Sequence, residues 1–280
     1  MTGPTRRAYL LAHPARHSLS PVMHGAAFAT LGLAATYEAL DVPPERLVEQ
    51  IARFRSAPDF LGANVTTPHK RAVMPLMDDL TAAAAAIGAV NTIVPKGGRL
   101  VGDNTDAAGF LRALEEAGHG REAVVALVIG AGGAARAVVH GLRQIGAMVM
   151  VAARDVDAAS ALASSFTGPG PSVAHLGPRD LASALPAVTL LVNATTVGME
   201  GGRAEGALPL EVDVSLLPRG ALVYDLVYKP MVTPLIAAAR ERGLQTLDGL
   251  AMLVWQGAES LRAWTGLEPP LAAMRAAVGG

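Results

Sequence analysis

Short apolar runs alternate with longer helical patterns along the chain, separated by glycine, proline and polar clusters, and this alternation predicts the elements. Strands are expected at Tyr9–Ala12, Tyr37–Leu40 and Leu61–Val65, with helices over Val22–Leu31 and Glu45–Arg55 between them. A helix is also expected to start at Pro68, with Thr66 and Thr67 able to cap it, and an alanine-rich helix runs over Leu80–Ile87. Gly88–Thr92 opens a strand, and Gly97-Gly98 turns it back as a hairpin. Strand and helix in alternation over this part of the chain predict one α/β domain.

A helix over Ala107–Ala117 comes next, then a break at Gly118–Arg121. Ala123–Ile129 is apolar throughout, as befits a parallel strand buried on both faces. A helix continues from it to about Arg143, and further strands are expected at Ala147–Ala153, Thr189–Val192 and Ala221–Asp225. Residues 200–220 read as loop and short helix. Thr233-Pro234 starts a helix reaching Arg242, Leu250–Trp264 forms a long one, and Pro269-Pro270 begin a last short one. The chain has no internal repeat and no low-complexity linker.

Composition narrows the class. The 280 residues are half apolar and poor in aromatics, which suits an α/β protein with small residues where helices meet sheets, and the length suggests about two domains. A formal charge of -1, with acids and bases mixed along the chain, gives no electrostatic case for nucleic acid or an anionic membrane. The lack of cysteine removes disulfides, thiolate metal sites and thiol nucleophiles together, and the seven histidines are scattered, so no metal site is expected. The apolar run near the N-terminus is too short for a signal peptide, and no stretch approaches the ~20 apolar residues of a spanning helix. Cytoplasm is the expected compartment.

Candidate chemistry is densest in Gly62–Lys70, GANVTTPHK. A helix starting at Pro68 would put Lys70 in its first turn, where the positive end of the macrodipole favours the neutral amine. A lysine poised in that way can exchange protons with a substrate; a solvated lysine reaching away from the helix satisfies the same local sequence. Ser18 and Ser20 stand two apart, so in an extended segment both hydroxyls face one way and can grip a carboxylate, while Ser20 before Pro21 also reads as a plain N-cap. Asp106 opens the helix after Gly102–Thr105, where a carboxylate is stabilised in its charged form with or without a chemical role.

Gly130–Ala135, GAGGAA, has the GxGxxA spacing of a dinucleotide site: Gly130 for the turn, Gly132 for close approach of a pyrophosphate and Ala135 for helix–strand packing. It lies between a strand and a helix, with a second strand at the expected distance, and that context makes it specific. After the second strand come Arg154 and Asp155. Arginine suits the 2′-phosphate of NADP and an acid suits the free 2′-hydroxyl of NAD, so both remain open, with NADP favoured because Arg154 comes first. Met252 and Gln256 share one face of the long C-terminal helix, where by themselves they read as a core residue and a surface amide.

Taken in order, HSLSP (17–21), GANVTTPHK (62–70), GAVNT (88–92), DNTD (103–106), GAGGAARA (130–137), NATTVGM (193–199), DLVYKPMVTPL (225–235) and GLAMLVWQGA (249–258) resemble the shikimate dehydrogenase family over nearly the whole chain. The resemblance implies a two-domain α/β protein. Residues 1–106 with 248–280 would form an α/β substrate domain with a mixed sheet, and 107–247 a Rossmann-like, doubly wound dinucleotide domain. The activity implied is the reversible NADP-linked reduction of 3-dehydroshikimate to shikimate.

Carried over by position, Lys70 and Asp106 would be the catalytic pair, with Ser18 and Ser20 holding the substrate carboxylate. Asn64, Thr66, Asn91, Asp106 and Gln256 would fix the ring hydroxyls, with Tyr228 nearby. Gly130, Ala131, Gly132, Gly133, Ala134 and Arg154 would bind the dinucleotide, and Thr195, Leu226, Gly249 and Met252 would surround its nicotinamide end. No metal, nucleic acid or membrane enters, and a homodimer is left open. The sequence departs from the family pattern at Gly25, often asparagine, and at Ala153 and Asp155, where NADP-preferring members commonly have Asn and Thr. The rivals are an enzyme of the same family acting on quinate or an aminoshikimate; a non-catalytic sensor, against which the retention of both Lys70 and Asp106 counts; and another two-domain dehydrogenase such as a methylene-tetrahydrofolate type, which HSLSP and DNTD together fit poorly.

Overall fold

The structure is a computed structural model describing residues 5–15, 18–120, 124–168, 170–177, 179–202 and 204–279. His17, Arg121, Ala123 and Arg203, which fall in segments read above, lie outside the described residues. In chain order the elements are β1 (Arg6–Ala12), α1 (Ser20–Thr30), β2 (Ala35–Asp41), α2 (Leu47–Ser56), β3 (Phe60–Val65), β4 (Asp79–Leu80), α3 (Ala82–Ile87), β5 (Thr92–Lys96), β6 (Arg99–Asp103) and α4 (Asp106–Glu116). Then come β7 (Val125–Ile129), α5 (Gly133–Gln144), β8 (Met148–Ala152), α6 (Val156–Ser165), β9 (Val173–Leu176), α7 (Leu181–Ala184) and β10 (Leu190–Asn193). The last are β11 (Leu222–Asp225), α8 (Pro234–Glu241), β12 (Gln245–Leu247), α9 (Leu250–Thr265) and α10 (Leu271–Ala277). The chain divides into two compact units, Met1–Gly109 with Leu253–Gly280, and Phe110–Met252.

The first unit holds a mixed sheet in the order β2-β1-β3-β5-β6-β4. Strands β1, β2 and β3 run parallel, as helical crossovers require, while β5 is antiparallel to both β3 and β6. The β5–β6 hairpin turns at Gly97 and Gly98, whose φ of 59° and 77° only glycine takes up freely at both positions. All six residues of β3 are buried, and Leu11, Ile51, Phe54, Phe60, Val65 and Ile93 belong to the core around it.

One predicted helix is absent here. Residues 67–73 form consecutive turns ending in a short 3-10 segment at Met74–Leu76, and the Thr67–Pro68 peptide is cis. The reason is tertiary: the Lys70 carbonyl, which a helix would give to Met74, accepts instead from the Val90 N–H at 2.7 Å, and Met74 N–H turns to Arg71. Thr66 and Thr67 therefore cap nothing, and the macrodipole argument for Lys70 falls. Ser20 is also not an N-cap. It is the first helical residue of α1, and its own N–H is taken by Ser18 Oγ at 3.2 Å.

The second unit is a six-stranded, wholly parallel sheet in the order β12-β11-β10-β7-β8-β9. The chain leaves the central β7 toward β8 and β9, then returns to the other side through β10, β11 and β12. The strand order thus reverses between β7 and β10, the place where open α/β sheets bind ligands. Strands β9 and β12 and helices α6 and α7 extend the predicted set; β9 has no buried position and β12 is three residues long, so neither leaves an apolar run to read. Leu127, Ile129, Leu191, Val223 and Leu235 pack in the core of this unit. Among the described residues no helix is long and apolar enough to cross a membrane.

Candidate active site

In the first unit Lys70 leaves the turns after β3 and meets Asp106, the first residue of α4. Lys70 Nζ lies 2.6 Å from Asp106 Oδ2, with the side chains 14% and 5% exposed. The other carboxylate oxygen, Oδ1, accepts from Asn91 Nδ2 at 2.8 Å. The carboxylate is thus fixed at both ends, and the amine is the partner that keeps some access to solvent.

Asn91 is a hub. Its Oδ1 accepts the Thr105 N–H at 2.8 Å and the Thr92 hydroxyl at 2.9 Å, and its Nδ2 lies 3.4 Å from Gln256 Oε1. Gln256 is half-buried, and its own Nε2 donates back to the Leu253 carbonyl at 2.8 Å. Thr92 Oγ1 lies 2.8 Å from Ser260 Oγ, which also accepts from Asn64 Nδ2 at 2.8 Å. Asn64 Oδ1 accepts in turn from the Tyr37 hydroxyl at 2.9 Å. Lys70, Asp106, Asn91, Thr92, Ser260, Asn64 and Tyr37 therefore form one continuous hydrogen-bonded chain. Tyr37 and Ser260 lie outside the motifs quoted above, and Thr92 and Thr105 lie inside GAVNT and DNTD without a role that spacing alone assigns. Ser260 carries the one faint signal, lying one turn beyond Gln256 on the same helix.

Ser18 is half-buried and Ser20 is buried. The residue between them, Leu19, has helical φ and ψ of -83° and -7°, so the extended geometry expected to align the two hydroxyls is not present. Thr66 is half-buried just past β3, with its N–H on the Leu11 carbonyl at 2.9 Å. Tyr228 is half-buried and belongs to the second unit, in the loop after β11.

In that second unit Ile129, Ala152, Asn193 and Asp225 stand level at the carboxyl ends of four adjacent strands. Gly130 leaves β7 at φ 122°, and a Cβ there would come within 3.1 Å of the Ala194 carbonyl oxygen. A Cβ on Gly132, which caps α5, would meet no protein atom within 4 Å, so its backbone is open to a ligand at a helix N-terminus. Ala131, Gly133 and Ala134 are half-buried beside it, while Ala135 is fully buried against the sheet.

Arg154 is exposed after β8. Asp155 Oδ1 accepts the Ala158 N–H at 3.0 Å and so caps α6, an occupation that leaves Arg154 as the freer of the two. Open glycine backbone, a twelve-residue helix starting there and an exposed cation past the next strand fit a phosphorylated dinucleotide.

The residues expected at the nicotinamide end are also brought together in part. A Cβ on Gly249 would lie 2.1 Å from the Leu226 carbonyl oxygen, so only glycine lets these two backbones touch. Thr195 Oγ1 donates to Asn193 Oδ1 at 2.6 Å, and Met252 is 7% exposed. Asn193 and Asp225, each a polar residue ending an apolar strand run, are bonded to each other and, through Asn193, to Thr195, a link the sequence does not reveal.

Comparison with known proteins gives a consistent picture. Residues 10–93 match the family model for the shikimate dehydrogenase substrate binding domain, and residues 249–278 that for the shikimate 5'-dehydrogenase C-terminal domain. Shikimate dehydrogenase (NADP(+)) of Symbiobacterium thermophilum is 47% identical, covering 98% of this chain and 94% of the relative. The protein of the same name from Methylobacterium radiotolerans is 47% identical, covering 96% and 94%. Among solved structures, shikimate 5-dehydrogenase from Thermus thermophilus in complex with NADP(H) and shikimate superposes with a TM-score of 0.86 at 41% identity, covering 98% of each chain.

Proposed function

The chain belongs to the shikimate dehydrogenase family, and from that premise we propose how its residues carry out the NADP-linked interconversion of 3-dehydroshikimate and shikimate. The 2.6 Å contact between Lys70 Nζ and Asp106 Oδ2 carries the reading, because it joins a proton-exchanging amine to a carboxylate held in turn by Asn91. NADP, when bound, supplies the hydride for reduction and accepts it in oxidation.

The protein's task is the proton and the pose. In reduction the Lys70 ammonium gives a proton to the carbonyl oxygen as it becomes a hydroxyl; in oxidation the neutral amine takes that proton back. Asp106 orients the amine and balances its charge. Ser18 and Ser20 bind the substrate carboxylate, and Thr66, Asn91, Asp106, Gln256 and Tyr228 meet the ring hydroxyls. Asn64, whose amide is engaged with Tyr37 and Ser260, belongs with the residues that hold this group in place. The dinucleotide is held by 130–134 and Arg154, with Thr195, Leu226, Gly249 and Met252 at the nicotinamide end. Because nicotinamide dinucleotides are kept inside cells, the cytoplasm is the compartment this reading assigns.

Lys70→Ala is the decisive variant. It is expected to keep NADP affinity and lose about two decades or more of kcat, the usual worth of a general acid–base group. Its melting temperature is expected to fall, since Asp106 keeps the Asn91 hydrogen bond but loses its counter-charge, and breaking a buried ion pair costs about 3 kcal/mol. Turnover close to that of the parent would take Lys70 out of the mechanism. Initial rates of the unmodified protein on shikimate and on quinate, each with NADP and NAD, separate this activity from its quinate-directed rival.

A further inference from the structure

Asp225 has no task in that reaction, yet it is among the most buried charged groups in the chain, with 0% exposure at the end of β11. Its Oδ1 accepts Asn193 Nδ2 at 2.9 Å and the Val227 N–H at 3.0 Å, and its Oδ2 accepts the Thr233 hydroxyl at 2.7 Å. Even with three donors, burial pushes its pKa up to about 6. An apolar side chain of similar shape, with its partners replaced too, is often neutral or stabilising at such a place, so stability by itself gives no reason for a carboxylate. A carboxylate does, however, accept several hydrogen bonds while donating none.

The three donors belong to three segments. Asn193 ends β10, Val227 opens the loop after β11, and Thr233 caps α8 through the Ile236 N–H. Asn193 passes the constraint on: its Oδ1 accepts both the N–H and the hydroxyl of Thr195, at 3.1 and 2.6 Å. Thr195 Oγ1 then accepts the Val197 N–H at 3.1 Å, and the Leu226 N–H donates to the Asn193 carbonyl at 3.0 Å. One carboxylate thereby ties the loop carrying Thr195 to the loop carrying Leu226, against which Gly249 packs.

We propose that Asp225 is a positioning residue that holds these two loops in a single arrangement and so seats the nicotinamide end of the cofactor, an inference resting on the assignment of Thr195 and Leu226 made above. The test compares two ligands by calorimetry on the full chain: NADP+, and 2′-phospho-ADP-ribose, which lacks the nicotinamide. Asp225→Ala is expected to bind NADP+ about tenfold or more weakly while 2′-phospho-ADP-ribose changes by less than about threefold. Asp225→Asn, which keeps an acceptor toward Asn193 and Val227, is expected to restore most of the loss.

Equal weakening of both ligands would mean general loosening and overturn the proposal, as would unchanged NADP+ affinity. Should Asp225→Ala not fold, Asn193→Ala, which cuts the link between carboxylate and Thr195, carries the same expectation. If the unmodified protein itself binds both ligands alike, the nicotinamide-end assignment fails first and the inference falls with it. That outcome is distinct from a preference for NADP+ that survives every variant.

Discussion

Arg154 is an exposed cation immediately past β8, and the carboxylate beside it is engaged in capping α6. A guanidinium in that place is suited to a 2′-phosphate, to which it can offer two parallel N–H groups. Arg154→Ala is therefore expected to weaken NADP by about tenfold or more, the scale of one charge-assisted contact, and NAD far less. Fluorescence titration with the reduced cofactors checks this, and an equal loss for both would leave Arg154 as a stacking surface only. Sequence order puts Arg154 ahead of Asp155 but leaves the acid open, because a helix cap depends on which N–H the folded backbone brings within reach. Lys70 and Asp106 are a similar case: 36 residues separate them, and only the closure of β3, β5 and the start of α4 makes them neighbours.

At the scale of elements, α1 carries an avoidable weakness. Gly25 stands in mid-helix on the exposed side, and a Cβ built there would meet nothing within 4 Å. Glycine in a helix interior costs about 0.5–1 kcal/mol relative to alanine through the freedom it regains on unfolding. Gly25→Ala should raise stability by that amount in urea denaturation; a lowered midpoint would show that the position needs backbone freedom of its own. Most elements could be read from the sequence because apolar runs and caps are local signals, as at Thr233, whose hydroxyl caps α8; the alanine-rich helix is also legible, but it starts only after the cap at Thr81, with Leu80 in β4. The segment after β3 departs from its local signal: its proline and threonines imitate a helix start, whereas the N–H of Val90 claims the Lys70 carbonyl from outside.

Across the whole molecule, two buried ionisable groups set opposite pH slopes. In the first unit His24 stacks on Tyr37, ring centroids 4.4 Å apart, with no hydrogen-bond partner for either ring nitrogen. Burial pushes its pKa down to about 3, against a smaller upward pull from Asn64. Its contribution to stability is complete above its unfolded value near 6.5 and is lost as pH falls toward 3, about 5 kcal/mol in all. Asp225 in the second unit acts the other way. With its pKa raised from 3.8 to about 6, its contribution is complete below about 4 and is lost as pH rises through 6, about 3 kcal/mol. Between pH 4 and 6 the two partly cancel. Asp225→Asn should therefore make stability climb more steeply over that window, and His24→Phe should reverse the slope. Urea midpoints measured from pH 4 to 7 would show it, and parallel profiles for all three proteins would refute the assignment.

Local sequence was enough to determine the alternation of strands and helices, the glycine turn after β7 and the motifs by which the chain resembles its family. These follow from backbone propensities and side-chain periodicity acting over a few residues. Tertiary structure alone decided that Lys70 sits on a turn and not a helix, that Asp155 is a cap, and that Asn193, Asp225 and Ser260 tie distant segments together. Those facts depend on which polar groups lose water together, and a hydrogen bond between residues far apart in the chain leaves no mark on the spacing of either one.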